Sequence, residues 1–217
     1  MGALKNLVFR VLSTKRRFER ISEKGQWGSA EESVSGPGST LANTENLRSM
    51  LPELIAEIGA KSILDVPCGD FHWMRHVLPE CPAVESYFGM DIVPGIIQRN
   101  SNLFKDPRIV FSLGDLISGP LPNVDLVINR DCLIHFSFRD IDRTIANLAR
   151  SGSTYLMTTT HDDVSENGDI VTGRYRPINL MKAPFFFPNP IRLIDENEKG
   201  KYLALWRIED LPRVRVR

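Results

Sequence analysis

Five short apolar runs recur through the middle of the chain: Ser62–Val66, Ser86–Ile92, Ile109–Leu113, Asp125–Asn129 and Thr154–Thr160. Their length and bounding turn residues predict buried strands. Between them lie helix-like segments over roughly His72–Leu78, Gly95–Phe104 and Asp140–Leu148. Ser137, three residues before Asp140, marks a helix start with a carboxylate variant of the capping box. Ahead of the first strand, Leu47, Leu51, Leu54, Ile55 and Ile58 fall at helical spacing, on a helix that starts near Asn43 or Thr44. Pro52 is expected to bend or restart that helix, and Gly59 to end it. Strands alternating with helices predict an α/β fold, with parallel strands and crossover helices on both faces. The final third breaks the rhythm. Ile191–Ile194, a turn over Asp195–Gly200 and Lys201–Ile208 form an antiparallel hairpin pattern.

The bulk numbers fit this picture. With 217 residues, of which 42% are hydrophobic, the chain is long enough to bury one sizeable core. Lys and Arg (27) balance Asp and Glu (27), which argues against a nucleic-acid partner. Cys68, Cys81 and Cys132 cannot all pair and lack metal-ligand spacing, so a reducing, cytoplasmic compartment and no metal are expected. No apolar run approaches the roughly 20 residues of a membrane span.

The amino terminus stands apart. Leu4, Leu7, Val8, Val11 and Leu12 share a helical face among Lys5, Arg10, Lys15, Arg16, Arg17 and Arg20. This reads as an amphipathic helix packed on the domain; a weak membrane-surface contact and a cover over the active site are the alternatives. Lys5 and Arg10 interrupt any signal-peptide core. From Gln26 to Thr44 the chain turns rich in Gly, Ser and Pro, as suits a lid hinged at Gly36 and Gly38 or a plain linker. The division is thus 1–44 for this segment and 45–217 for the main domain.

Ligands of open parallel sheets sit beyond the carboxyl ends of the strands. The residues placed there are Asp65 and the Pro67–Phe71 turn, Asp91 with Ile92, Asp115 with Leu116, then Asn129, Arg130, Asp131 and His135, and finally Thr159, Thr160 and His161. Asp91 follows Gly69 by 22 residues, near the roughly 20 of a nucleoside-binding unit, where the acid accepts ribose hydroxyls. A dinucleotide turn normally carries three glycines. This one keeps Gly69 alone, and no Lys-Ser/Thr pair follows, which favours a nucleoside without phosphates.

These residues resemble the class I S-adenosylmethionine-dependent methyltransferases. Asp65-Val-Pro-Cys-Gly matches the family's acidic first motif, and Asp91, Asp115 and the Asn129–His135 segment match its later positions in order. The likeness runs from about Leu47 to Ile208 and departs at Pro67 and Phe71, where glycine is usual. It implies a Rossmann-like, seven-stranded, mostly parallel sheet with the hairpin at its end, and S-adenosylmethionine as cofactor. It also implies roles. Pro67, Cys68 and Gly69 would approach the methionine moiety above Asp65, and Asp70 would reach its ammonium group. Asp91 and Ile92 would hold the ribose, and Asp115 and Leu116 the adenine. The Asn129 or Arg130 backbone and the Asp131 side chain would lie under the amino-acid end or the transferring methyl.

In-line alignment lowers most of the barrier to leaving a sulfonium. A hydroxyl acceptor also needs a base, for which His135 and His161 are the candidates; Asp131, four residues before His135, would share a helical face with it if that stretch turns. Arg174, Tyr175, Arg176 and Ser35 are candidates for binding the acceptor. Phe185-Phe-Phe187 reads as packing under a loop. Through Ser-Gly-Pro-Gly-Ser, the Asp65–Asp70 motif and Thr158-Thr-Thr-His161, the chain is similar to bacterial methyltransferases of glycan and surface-polysaccharide biosynthesis. The expected activity is methyl transfer to a hydroxyl of a sugar, glycan or other small molecule. N-methylation of a small amine and a non-catalytic nucleoside-binding protein remain the alternatives.

Overall fold

The computed structural model describes residues 13–25 and 32–212. The expected face of Leu4, Leu7, Val8, Val11 and Leu12 lies outside the described residues. The first described element is helix α1, Thr14–Glu23, capped by Ser13, whose hydroxyl accepts from the Arg16 amide. Then come α2 (Glu45–Glu57), β1 (Ser62–Asp65), α3 (Met74–Val77), β2 (Ser86–Asp91), α4 (Pro94–Leu103), β3 (Ile109–Leu113), β4 (Leu126–Asn129), α5 (Phe138–Ser151), β5 (Tyr155–His161), β6 (Arg192–Asp195) and β7 (Lys201–Arg207).

The strands form one sheet in the order β3-β2-β1-β4-β5-β7-β6. The first five pair in parallel; β7 lies antiparallel between β5 and β6. Strand order reverses between β1 and β4, and that switch point is where an open α/β sheet leaves a crevice beyond its carboxyl ends. The central strands are apolar on both faces, and their residues divide with period two. Leu64, Val127, Leu156 and Trp206 join the core on one face with α1 and α5, through Phe18, Ile21, Ile141 and Ile145. Ile63, Leu126, Ile128, Met157 and Leu205 join the other, under α2 and α3.

Local signals hold at most ends. Ser137 caps α5, its hydroxyl accepting from the Asp140 amide at 3.2 Å. Gly59, at φ +65°, closes α2, with the Ala60 amide on the Ile55 carbonyl and the Gly59 amide on Ala56. Pro52 neither breaks nor restarts the helix, which continues through it. Leu47, Leu51, Leu54 and Ile55 are all buried. At about 1.5–3 kcal/mol each, they outweigh the roughly 3 kcal/mol an internal proline costs. The helix expected from His72 begins only at Met74, after Phe71 turns left-handed at φ 58°.

Candidate active site

The turn after β1 is built by its neighbours. The Cys68 amide donates to the Met90 carbonyl at 2.9 Å, and the Gly69 amide to the Asp91 carboxylate at 3.1 Å. Asn100 donates to the Gly69 carbonyl at 2.8 Å. Gly69 sits at φ +52°, and a Cβ there would stand 2.3 Å from the Ser35 hydroxyl. Its missing side chain therefore makes room for the segment of residues 33–39, which crosses over the turn. That segment is held by Asp70, whose carboxylate accepts from Ser33 and Ser35 hydroxyls and the Val34 amide at 2.9–3.0 Å. Asp70, expected to reach the cofactor's ammonium, is instead committed to this strap.

Beneath the strap lies a cavity of about 540 Å³, bounded by Ser35–Ser39, Asp65–Gly69, Asp91–Val93, Gly114–Leu116, Arg130–Cys132 and His135. That volume suits a small molecule or cofactor. Thr14 and Phe18 of α1 form part of its wall, and Tyr175, His161, Glu198 and Lys201 also line it. Asp65, Asp91, Asp115 and Asp131 therefore meet in one cavity from the ends of β1–β4.

The acids differ in environment. Burial pushes Asp91 up to about 6, against hydrogen bonds from the Val93 and Gly69 amides. Burial pushes Asp65 to about 7, although the Tyr87 hydroxyl donates to it. The Asp115 carboxylate accepts from the Ile117 amide at 2.9 Å and the Ser118 hydroxyl at 2.7 Å, which fixes its turn. S-adenosylmethionine presents ribose hydroxyls, an exocyclic amine and an ammonium, all donors, together with a cationic sulfur. A rim of carboxylate acceptors fits that set.

At the end of β4 the chain kinks, with Asp131 at φ 51° and its amide donating to the Thr159 hydroxyl at 2.9 Å. Arg130 is buried over the Trp73 ring at 5.7 Å and donates through Nε to Glu196 at 2.8 Å. Lys201 stands 3.0 Å from Asp131, 3.5 Å from Glu196 and 3.4 Å from Glu198. Burial alone would raise the Asp131 carboxyl; Arg130 and Lys201 overcome it and hold the carboxyl below its usual range.

His135 Nδ1 lies 3.0 Å from the Arg174 carbonyl oxygen. That partner accepts only, so the ring carries its proton on Nδ1 and leaves Nε2 bare. Burial lowers its pKa, against the raising influence of that carbonyl and Asp131, so the imidazole is neutral near pH 7. His161 Nδ1 lies 3.3 Å from both the carbonyl and the amide of Ile178, and burial lowers its pKa too.

Residues 63–152 match a family model described as a methyltransferase domain. That match spans less than half of the chain. Solved structures of similar fold include human N-acetylserotonin methyltransferase in complex with S-adenosylmethionine, at 15% identity and a TM-score of 0.55 over 82% of this chain. This chain spans 59% of that protein's length. Magnesium protoporphyrin IX methyltransferase from Synechocystis, with bound S-adenosylhomocysteine, matches at 14% identity and TM-score 0.55, over 78% of this chain and 85% of its own. A protein from Pyrococcus horikoshii matches at 16% identity and TM-score 0.56, over 79% and 95%. No curated protein matches the chain by sequence. The expected seven-stranded fold agrees with these structures, two of which hold S-adenosylmethionine or S-adenosylhomocysteine.

Several residues sit differently from what their sequence positions suggested. Asn129 is fully buried. It donates to the Val66 carbonyl and receives the Thr158 hydroxyl, so it ties β4 to its neighbours rather than facing the cavity. Arg176 is also buried, donating to the Leu133, Ile134, Phe136 and Gly168 carbonyls, and so holds the His135 loop instead of clamping an acceptor. Of residues 174–176 only Tyr175 lines the cavity, and it is exposed at the mouth. Phe185 and Phe187 pack inside while Phe186 is exposed. Glu196 and Lys201 were not anticipated. The signal was present: Lys201 opens a strand whose next five residues are apolar or aromatic, and it is buried there.

Proposed function

We propose that the protein is an S-adenosylmethionine-dependent O-methyltransferase whose acceptor is a hydroxyl of a sugar, glycan or other small molecule. The observation that carries this reading is the His135 imidazole. Its Nδ1 is held by Arg174 and its Nε2 is bare, in a cavity shared with the carboxylate rim. Bound S-adenosylmethionine supplies an electrophilic methyl on a sulfonium. Asp91 accepts the ribose hydroxyls and Asp115 with Leu116 flanks the base. Asp131, fixed between Arg130 and Lys201, lies toward the acceptor side with Tyr175. With S-adenosylmethionine bound, the acceptor oxygen would gain the methyl as the sulfur–methyl bond breaks and the neutral thioether leaves. His135 Nε2 would hold the hydroxyl proton, and the nearby Asp131 charge would stabilise the imidazolium. His161, tied to the Ile178 backbone, serves as cavity wall.

Free, buried Cys68, Cys81 and Cys132 support a reducing, cytoplasmic setting. Among the described residues no helix is long and apolar enough to cross a membrane. The test is product analysis with isotopically labelled S-adenosylmethionine and a panel of glycosides, polyols and amines. A methyl ether product supports the reading. An N-methylated product moves the nucleophile to an amine, and absence of any product despite cofactor binding supports a nucleoside-binding protein without turnover.

A further inference from the structure

The chain's zero net charge hides a segregation. Residues 1–24 carry seven Lys or Arg against two Glu, leaving twenty cations against twenty-five carboxylates in the remainder. On α1 the charges are also sorted by face. Phe18, Ile21 and Arg17 turn inward, with Arg17 donating to the Thr172 carbonyl at 3.0 Å. Lys15, Arg16, Arg20 and Lys24 are exposed on the other side. Among the described residues Lys15 pairs with Glu19 at 3.8 Å, and none forms an ion pair with Arg16, Arg20 or Lys24.

We propose that the outer face of α1 docks the protein on an anionic lipid surface. One feature selects lipid over other anions, and a second sets the orientation. The cations are preceded in sequence by Leu4, Leu7, Val8, Phe9, Val11 and Leu12 interleaved with Lys5 and Arg10, the apolar-plus-basic mix of an interfacial segment. The rest of the chain carries net negative charge and would be repelled by an anionic surface, so charge alone orients the molecule with α1 toward it. Thr14 and Phe18, on the opposite side of the helix, line the cavity. A surface bound to α1 therefore lies about one helix diameter, roughly 10 Å, from the candidate active site. Docking would bring the cavity to acceptors carried in or near lipid headgroups. This surface does not depend on the proposed methyl transfer, and its test needs no acceptor.

The experiment is flotation of the full chain with vesicles of equimolar phosphatidylglycerol and phosphatidylcholine, alongside vesicles of phosphatidylcholine alone. Binding is expected to the anionic vesicles only, to fall at high salt, and to drop at least about tenfold in R16E/R20E/K24E. Thermal melting and S-adenosylhomocysteine binding of that variant are expected to match the parent, since these side chains point away from core and cavity. Failure of the parent to float, or binding that survives the charge reversal, overturns the proposal. Equal affinity for a short RNA duplex at the same ionic strength also overturns it.

Discussion

The Asp70 amide donates to the Ser35 hydroxyl at 2.8 Å, and that same hydroxyl donates back to the Asp70 carboxylate at 3.0 Å. This reciprocal pair fastens the strap to the turn after β1, and the strap in turn walls the cavity. Asp70→Ala removes the acceptor for Ser33, Val34 and Ser35 together. Even one hydrogen bond to a charged group is worth about 1.5–3 kcal/mol, and at about 2–4 °C per kcal/mol at this size the melting temperature should fall by at least about 3–12 °C. S-adenosylhomocysteine affinity should weaken about tenfold. Unchanged affinity in a folded variant would show that the strap does not contribute to the cofactor wall.

His135→Ala should separate chemistry from binding. Loss of a positioned base lowers kcat by about 10²–10⁴, while the cofactor Kd should stay within about twofold because the proposed base acts on the acceptor. His161→Ala should act mainly on stability, since its ring is tied to Ile178. Parallel loss of kcat and cofactor affinity in His135→Ala would make the histidine part of the cofactor wall.

As the proposed ribose acceptor, Asp91 should tie cofactor affinity to pH. Burial raises its pKa from 3.8 to about 6. Between those values the folded protein retains a proton that the unfolded chain has lost. This group's contribution to stability therefore declines as pH rises through that window. Cofactor binding runs the other way, because ribose hydroxyls donate best to the ionised form. The Kd should be flat above pH 7 and rise by up to about tenfold per unit below pH 6. Asp91→Asn should bind more weakly at pH 8 and show little of this dependence. Calorimetry across pH reads both.

Glu196 neutralises Arg130 out of contact with water. Glu196→Ala leaves that guanidinium with Asp131 as its remaining carboxylate partner, and breaking a buried pair costs about 3–5 kcal/mol. Glu196→Gln keeps an acceptor and should lose less. Urea unfolding measures both, and a loss under about 1 kcal/mol in the alanine variant would show that the pair behaves as a solvated one.

The sheet was legible because its strands are apolar on both faces and its helices are punctuated by Ser137 and Gly59. The acids at strand ends were legible for the same reason: parallel connectivity alone carries Asp65, Asp91, Asp115 and Asp131 to one rim. Sequence order does not convey which partner each side chain chooses. Asp70 and Asp91 look alike in the sequence, yet one holds the strap and the other faces the cavity. Arg174 and Arg176 beside Tyr175 suggested a clamp on the acceptor, but Arg176 is spent on four backbone carbonyls and only the tyrosine lines the cavity. Lys201 and Glu196 reach Asp131 and Arg130 across sixty-six or more residues of chain. No local pattern encodes such a meeting.

The most direct test is isothermal titration of the purified chain with S-adenosylhomocysteine, alongside NAD. One equivalent should bind with micromolar or tighter affinity, weaken sharply in Asp91→Ala, and give no heat with NAD. No heat with S-adenosylhomocysteine, or comparable binding of the phosphorylated coenzyme, would contradict the assignment of the carboxylate rim to an adenosyl sulfonium ligand.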